Sequence, residues 1–345
     1  MMMRPVSVVT GFLGSGKTTL IARVLRDPAY ARTAVIVNEF GEIGLDHELI
    51  ASSDETLLAL TTGCLCCAVR SDLVATLLEL RARAAAEEIA FDRVLIETSG
   101  LADPAPILHA LMTDADVLAG YRLDSVLTVV DAVLGETALD RHPEARRQVT
   151  LADRLALSKT DLAGPTGTLC ARLAALNPGA PLATTGDLAP EWLFAAGDAE
   201  ARALRFGTLP PEAAPTPWLR RTAAPGEQAM HGDGVTTFAL QRDRPVLALA
   251  LALLLQALAE HCGARLLRLK GLVDVAEMPG TPAVIHGVQH VFSAPEFLPR
   301  WPSADRSTRL VFIAQDVPRY FPARLLEAIE AEVVEETTAS GPARA

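Results

Sequence analysis

The segment Gly11-Phe-Leu-Gly-Ser-Gly-Lys-Thr18 limits what this chain can fold into more than any other feature of the sequence. It matches the pattern G-x-x-x-x-G-K-[ST], and it lies between an apolar run at Val6–Thr10 and a helical pattern at Thr18–Arg26. Glycines in such a loop let backbone N–H groups surround phosphates, and the helix N-terminus adds a favourable dipole. The pattern predicts a strand, a phosphate-binding loop and a helix, with an ordinary glycine-rich turn as the alternative.

Two residues at the end of this loop have specific chemical roles. The ammonium group of Lys17 would reach the outer phosphates of a nucleotide, and the Thr18 hydroxyl is placed to ligate Mg²⁺. The other predicted phosphate-binding positions from the motif are Gly11, Gly14, Ser15 and Gly16.

The first half of the chain alternates short apolar runs with helical patterns. Runs rich in Val, Ile and Leu that are separated by helices indicate a parallel sheet covered on both faces. The predicted strands are Val6–Thr10, Ala34–Val37, Leu57–Leu60, Val94–Glu97, Val126–Val130 and Leu155–Ser158, and the predicted helices include Thr18–Arg26, Ser71–Ala86 and Pro104–Met112. The predicted fold class is α/β, a P-loop NTPase with a mostly parallel, helix-covered sheet.

A change of composition to Pro, Ala and Gly over 209–234 predicts a linker. It would separate a nucleotide-binding domain at 1–208 from a smaller α+β domain at 235–335, with a frayed tail at 336–345. The predicted elements of the second domain are strands Val235–Leu240, Leu266–Val273, Ala283–Phe292 and Arg309–Ala314, and helices Val246–His261 and Pro322–Val334.

Charge and composition exclude several classes of protein. The formal net charge of -11 argues against a general binder of nucleic acids or anionic membranes. The most apolar stretch, Val246–Ala259, is too short to span a bilayer. The N-terminal segment reads as a first strand and not as a secretion signal, and an odd count of five cysteines favours free thiols in a reducing cytoplasm.

Two further motifs follow predicted strands, where parallel sheets bind their ligands. In the segment ending Glu97-Thr-Ser-Gly100, Glu97 can hold the hydration shell of Mg²⁺ and the Gly100 N–H can sense the γ-phosphate. In Ser158-Lys-Thr-Asp161, the Asp161 carboxylate can accept two hydrogen bonds from guanine, and the stem of Lys159 can lie over the base. The usual guanine motif begins with Asn, so Ser158 could loosen guanine selectivity.

Three cysteines within four residues, Cys64, Cys66 and Cys67, follow the predicted strand Leu57–Leu60. Three thiolates with one oxygen or nitrogen ligand would complete a tetrahedral Zn²⁺ site. Buried structural cysteines and a redox pair are the alternatives.

The segment from Asn38 to Asp46 is rich in carboxylates. Glu39, Glu42 and Asp46 are candidates for Mg²⁺ binding, for positioning water, or for the fourth transition-metal ligand, and a solvated acidic loop is the alternative. His286 and His290 would share one face of a single strand, which makes a metal pair conceivable, although such a pair is more often the polar face of a sheet.

Five motifs occur together in this order and carry a resemblance to a known family: GFLGSGKTT, NEFGEIGLD, GCLCC, ETSGLADP and SKTDL. They resemble the CobW (cobalamin-synthesis protein) family of metal-trafficking P-loop GTPases, to which the UreG and HypB nickel-insertion GTPases are more distantly related. The segments LLRLKGLVDV, IHGVQHVFSAPE and STRLVFIAQD also resemble that family's C-terminal domain.

This resemblance implies a slowly hydrolysing GTPase that delivers a transition metal to a client metalloprotein and could form a homodimer. It makes Gly14 to Thr19 the phosphate loop, with Thr18 and Glu97 on the Mg²⁺ side. It also implies that Lys159 and Asp161 read guanine, and that Cys64, Cys66 and Cys67 bind Zn²⁺, Co²⁺, Fe²⁺ or Ni²⁺. GTP and GDP are the implied nucleotides. Many members carry a histidine-rich segment between their domains, where this chain has only His231-Gly-Asp-Gly234.

Two other functions remain open at this point. The chain could be a P-loop kinase or biosynthetic ATPase with structural cysteines, although the SKTD motif and the lack of a recognisable lid segment count against it. It could also be a redox-controlled nucleotide-binding scaffold. The residues expected to act in hydrolysis are Lys17, Thr18, Glu39 and Glu97, and with no obvious catalytic Gln or arginine finger, turnover should be slow and stimulated by a partner.

Overall fold

The chain forms two compact units, Met1–Ala196 and Gly197–Ala345. The computed structural model describes residues 3–37, 57–59, 66–189, 192–194 and 235–339, of which 57–59, 66–71 and 336–339 are described by backbone alone. The predicted acidic loop, the linker at 209–234 and most of the segment around the cysteine cluster lie outside these ranges.

The first unit alternates strands and helices, as the apolar runs predict. Its elements in chain order are β1 (Arg4–Thr10), α1 (Lys17–Leu25), a 3₁₀ turn (Pro28–Tyr30), β2 (Thr33–Val37), β3 (Leu57–Ala59), α2 (Cys66–Ala85), β4 (Arg93–Glu97), α3 (Ala105–Thr113), α4 (Ala115–Leu118), β5 (Tyr121–Asp131), α5 (Gly135–Arg141), α6 (Pro143–Leu151), β6 (Arg154–Ser158), α7 (Gly167–Leu176) and β7 (Leu182–Thr184).

Within the described residues these strands form one parallel sheet in the order β3-β2-β4-β1-β5-β6-β7. Neighbouring residues of β5 face opposite sides of it. Val129 packs with Ile21 of α1, whereas Val130 packs with Leu139 of α5 and Val149 of α6. The predicted α/β class with helices on both faces is confirmed.

The carboxyl ends of the strands meet at one edge of this sheet. Glu97 at the end of β4 is in register with Val9 of β1 and with Val37 of β2. Asp131 at the end of β5 is in register with Ser158 at the end of β6. The phosphate loop, the loop after β4 and the guanine motif therefore all leave the sheet on the same side.

The second unit is an antiparallel sheet with helices on one face. Leu269 and Phe312 of its strands form a core with Leu254 and Leu258 of one helix and Leu326 of the other. Its elements are β8 (Val235–Arg242), α8 (Ala248–Cys262), a 3₁₀ turn (Gly263–Arg265), β9 (Leu266–Val273), β10 (Ala283–Val288), β11 (Val291–Phe292), β12 (Glu296–Phe297), β13 (Thr308–Gln315) and α9 (Phe321–Ala339). The strand order is β11-β10-β9-β13-β8, with β12 paired to β10.

The single strand predicted over Ala283–Phe292 is wrong, because β10 and β11 are two arms of a tight hairpin. Val288 pairs with Val291, and Gln289 between them has a positive φ of 53°. His286 lies on β10 and His290 lies in the turn, so the two histidines do not share a strand face as predicted.

In the portion of the chain that the structure describes, no helix is both long enough and apolar enough to cross a membrane. The helix predicted over Val246–His261, which contains the apolar stretch Val246–Ala259, corresponds to α8 (Ala248–Cys262). Its Leu254 and Leu258 are fully buried.

Candidate functional site

The loop between β1 and α1 is shaped by three glycines with positive φ: Gly11 at 144°, Gly14 at 68° and Gly16 at 91°. Gly11 also has no room for a side chain, since a Cβ there would lie 2.2 Å from the Val129 carbonyl oxygen. The Ser15 N–H closes the loop by donating to the Phe12 carbonyl, 3.1 Å away. The backbone therefore curls tightly around the N-terminus of α1, as a phosphate cradle requires.

Lys17, the first residue of α1, turns back over this loop. Its Nζ donates to the carbonyl oxygens of Gly11 at 2.9 Å and Phe12 at 3.4 Å, and the residue is only 8% exposed. The ammonium group is therefore held directly beside the phosphate loop. The predicted Thr19 lies on the exposed side of α1.

Thr18 and Glu97, which the sequence assigns to the Mg²⁺ side, are in direct contact. The Thr18 hydroxyl donates to Glu97 Oε1 at 2.7 Å, and Glu97 is 5% exposed. The parallel pairing of β1 with β4 brings these two residues together although they are far apart in the sequence. A hydroxyl and a carboxylate, the kind of oxygen groups that could hold Mg²⁺, therefore lie beside the phosphate loop.

Gly100 lies against the phosphate loop so closely that only glycine fits. A Cβ at this position would lie 2.6 Å from the Leu13 backbone nitrogen and 2.7 Å from its Cα. If the loop after β4 moves, the phosphate loop would therefore have to move with it. The role of the Gly100 N–H in sensing a γ-phosphate stays a prediction.

Gln148 on α6, which was not identified from the sequence, holds the loop after β4 in place. Its Nε2 donates to the carbonyl oxygens of Gly100 at 3.1 Å and Ala102 at 3.0 Å, and the residue is fully buried. The one signal in the sequence is the position of this glutamine, which lies among the residues that an amphipathic helix of this pattern would bury.

Ser158, the predicted departure from the guanine motif, connects that motif to the phosphate loop. Its Oγ lies 2.6 Å from the Ser15 carbonyl oxygen and 3.3 Å from that of Val130. The shorter contact gives a serine hydroxyl the bridging role that an amide would otherwise have.

Lys159 is positioned by Asp131, a second residue that was missed. Lys159 has a positive φ of 54°, and its Nζ bonds Asp131 Oδ2 at 2.7 Å. Burial alone would raise the pKa of Asp131, but hydrogen bonds from Lys159 and from two following backbone amides hold this pKa below its ordinary value. An acid at the end of β5 follows the same pattern that identified Glu97 at the end of β4.

Asp161 is exposed in the turn after β6, where the Leu162 N–H donates to the Lys159 carbonyl at 3.1 Å. The Thr185 N–H, just after β7, donates to the Leu157 carbonyl at 2.8 Å, so the end of β7 adjoins this turn. If a base were bound between these segments, the Asp161 carboxylate would be accessible to hydrogen-bond donors on the edge of that base.

Replacing Ser158 with alanine is expected to weaken nucleotide binding by up to about tenfold, because the phosphate loop loses one buried hydrogen bond worth about 0.5–1.5 kcal/mol. Ser7→Ala is the matched control: Ser7 is a buried serine on β1 whose hydroxyl lies 3.5 Å from Asp124 Oδ2. Fluorescent-nucleotide titration of both variants measures the effect. Equal affinities for the two variants would show that the Ser158 contact does not support the loop.

The predicted transition-metal ligands fall on residues that the structure does not describe in atomic detail. Cys64, Glu39 and Glu42 lie outside the described residues, and Cys66 and Cys67 are described only as the first backbone positions of α2. The preceding strand β3 ends at the same sheet edge as Glu97. Among the described side chains, no group of three His, Cys, Asp or Glu residues could hold a metal ion.

Comparison with known proteins identifies both units. Residues 5–184 match the family model for the CobW/HypB/UreG nucleotide-binding domain, and residues 235–331 match that for the cobalamin synthesis protein CobW C-terminal domain. The zinc chaperone YjiA of Escherichia coli (strain K12) is 32% identical over 320 residues, which cover 92% of this chain and 96% of that protein. The zinc-regulated GTPase metalloprotein activator 1 of Schizosaccharomyces pombe is 34% identical over 165 residues, 46% of this chain and 39% of that one.

Solved structures agree with these sequence relatives. The crystal structure of the Zn(II)-bound YjiA GTPase from E. coli matches with a TM-score of 0.67 and 25% identity, covering 95% of this chain and 99% of that chain. A Zn(II)-bound triple mutant of YjiA, with one glutamate and two cysteines changed to alanine, matches with a TM-score of 0.66 at 25% identity over the same shares of the two chains. The chain therefore belongs to the CobW/HypB/UreG family, with its nucleotide-binding domain followed by a CobW C-terminal domain.

Proposed function

We propose that this protein is a GTP-dependent metallochaperone, which binds and hydrolyses GTP and uses the nucleotide state to control the capture and delivery of a transition metal. One observation carries the nucleotide half: the Thr18–Glu97 contact of 2.7 Å, beside a glycine cradle that Lys17 covers. The metal half is supported by the Cys64-Leu-Cys66-Cys67 sequence and by relatives that are described as zinc chaperones.

The phosphate end of the site would hold the triphosphate and its magnesium ion. Lys17 already faces carbonyl oxygens of the loop, so its ammonium can transfer those contacts to phosphate oxygens without a large movement. Thr18 and Glu97 would hold Mg²⁺, and that ion would neutralise charge on the phosphates during transfer. Gly100, which touches Leu13, would link the γ-phosphate to the loop after β4.

Hydrolysis is expected to be slow in the isolated protein. The water-positioning residues are proposed to lie between Asn38 and Asp46, with Glu39 as the leading candidate. Turnover stimulated by a client metalloprotein would tie metal delivery to hydrolysis. Turnover of tens per second by the protein alone would contradict this account.

The cargo is proposed to be Zn²⁺, with Co²⁺, Fe²⁺ and Ni²⁺ as chemically acceptable alternatives. Cys64, Cys66 and Cys67 would supply three thiolates, and Glu42 is the proposed fourth ligand. A ligand from the acidic loop would place the cargo on a segment adjacent to the phosphates. Three free thiols require a reducing compartment, which favours the cytoplasm.

The guanine assignment is the direct test of the nucleotide proposal. Asp161→Ala should lower GTP affinity by about 10–100-fold, because a bidentate pair of hydrogen bonds to the base, worth about 1.5–3 kcal/mol, is lost. Affinity for ATP should change little. Asp187→Ala is a control, since Asp187 accepts a hydrogen bond from Thr184 in the neighbouring segment. If the unaltered protein binds ATP and GTP equally, the guanine assignment is wrong.

A further inference from the structure

Lys159, the residue predicted to lie over the base, is held in place by groups of the protein. Its φ of 54° is left-handed, which is uncommon for a residue other than glycine. Its Nζ bonds Asp131 Oδ2 at 2.7 Å, between the ends of β6 and β5. The Ala132 N–H donates to the Ser158 carbonyl at 2.9 Å and keeps these two strand ends side by side. The Lys159 side chain is 37% exposed, so a ligand can still reach it while its ammonium group is bound.

Asp131 is itself fixed by the backbone that follows β5. Its Oδ1 accepts hydrogen bonds from the Val133 N–H at 2.7 Å and the Leu134 N–H at 3.1 Å, while its Oδ2 bonds Lys159. Burial alone would raise the pKa of Asp131, but the hydrogen bonds from Lys159 and the two amides hold this pKa below its ordinary value. The acceptor for the Lys159 ammonium therefore has a fixed position and a negative charge at neutral pH.

A lysine that is already anchored favours base binding through preorganisation. A lysine side chain loses more rotamer freedom than most others when it is fixed. A base that packs on a mobile Lys159 would bear that loss, whereas a base that packs on a side chain held by Asp131 would not. Because the contact is with the face of the ring, it should hold guanine and adenine similarly. The edge of the base, which differs between the two, is assigned to Asp161.

We propose that Asp131 is a positioning residue for base recognition: it holds the Lys159 side chain across the face of a purine base without contacting the nucleotide. This inference rests on the proposed nucleotide site and extends it to the end of β5. The phosphates are assigned to Lys17 and the glycine loop, so the affinity for phosphate groups alone should not depend on Asp131.

Isothermal titration of the full chain with GTP and with inorganic tripolyphosphate, which has no base, tests this proposal. Asp131→Asn keeps the size of the side chain and one oxygen for the two backbone amides, but it removes the charge that holds Lys159. It is expected to lower GTP affinity by about 5–20-fold, or about 1–2 kcal/mol, and to leave tripolyphosphate affinity within about twofold. Equal losses for the two ligands would indicate a structural role only and would overturn the proposal.

Asp124→Asn is the matched control. Asp124 is an equally buried acid on the same strand, and its Oδ1 lies 3.2 Å from Arg122 Nη1. This variant should keep GTP affinity within about twofold of the unaltered protein, and thermal unfolding of both variants shows whether they fold. A GTP-specific loss in Asp124→Asn as large as that in Asp131→Asn would contradict the special role of Asp131.

Lys159→Met tests the same ion pair from its partly exposed end and keeps most of the apolar stem. It should lose about as much GTP affinity as Asp131→Asn, and the double variant should bind no more weakly than either single variant, because both changes break one interaction. Additive losses, or undiminished GTP affinity in folded Lys159→Met, would overturn the proposal. If the unaltered protein binds GTP and ATP equally, only the guanine assignment fails, since the effect of Asp131→Asn can then be measured with ATP.

Discussion

Replacing Lys17 with alanine is expected to reduce GTP affinity by about 100-fold or more and to remove measurable hydrolysis. The substitution deletes a buried ammonium that sits over the phosphate loop and would make charge-assisted hydrogen bonds to phosphate, each worth about 1.5–3 kcal/mol. Among the described side chains, no other cationic group donates a hydrogen bond to the carbonyl oxygens of Gly11 and Phe12. Isothermal titration with GTP and a phosphate-release assay measure the two effects.

The control for this variant is Arg23→Ala, which removes a cation from the exposed side of the same helix. It should leave GTP affinity within about twofold of the unaltered protein. Circular dichroism should show that both variants fold. A folded Lys17→Ala protein that hydrolyses GTP at the normal rate would remove the whole assignment of this site.

The second large effect is expected for a double variant, Cys66→Ala with Cys67→Ala. It should lose the tightest Zn²⁺ site, at about one ion per chain, because a tetrahedral site cannot keep its affinity after losing two of three thiolates. In the unaltered protein, Zn²⁺ affinity should fall below neutral pH, since protons compete for the sulfur atoms. Titration against a competing chelator at several pH values measures both.

This experiment needs two precautions. The Zn(II)-bound triple mutant of YjiA lacks two cysteines and a glutamate, so zinc can be held elsewhere in that relative. The readout must therefore be the loss of the tightest site and not the loss of all zinc. Cys170→Ala is the control, because it removes a thiol from α7, in a part of the sheet unit remote in sequence from the cluster. Unchanged tight binding in the double variant would place the metal elsewhere.

Much of the first unit could be predicted because its strands are buried on both faces. Such strands appear as continuous apolar runs, and β1, β2, β4 and β6 each begin or end within one residue of prediction. The sequence does not predict β7, since its three residues, Leu182–Thr184, carry no periodicity. The sequence predicts one strand across the β10–β11 hairpin because the turn contains no Gly, Pro, Asn or Asp, the residues that usually indicate a turn.

The residues of the candidate site also differ in how well the sequence predicts them. Lys17, Thr18 and Glu97 were recognisable because their roles require particular residue types next to a motif. Gln148 and Asp131 act on other protein groups, namely the Gly100 carbonyl and the Lys159 ammonium. Their sequence signals, an acid at the end of β5 and a glutamine on the buried side of α6, do not identify a partner, so their roles become clear only when the fold brings the partners together.

The structure shows what Ser158 does at the position where the guanine motif usually has Asn. From the sequence alone, Ser158 in place of the usual Asn predicts looser selectivity for guanine. The hydroxyl nevertheless reaches the Ser15 carbonyl at 2.6 Å, so one bridge is retained. The shorter side chain offers one donor where an amide offers two. We therefore expect Ser158 to hold the phosphate loop in place. Any effect of the missing Asn should appear as weaker discrimination between nucleotides.

Nucleotide state and metal binding are proposed to be coupled in this protein, and one titration tests that coupling directly. Zn²⁺ affinity should be measured in the unaltered protein loaded with GDP and with a non-hydrolysable GTP analogue. The account predicts affinities that differ by about 5–150-fold, the ordinary range of coupling between two sites, and the same factor in nucleotide affinity with and without Zn²⁺. Equal Zn²⁺ affinity in the two nucleotide states would leave two unrelated sites and contradict the account.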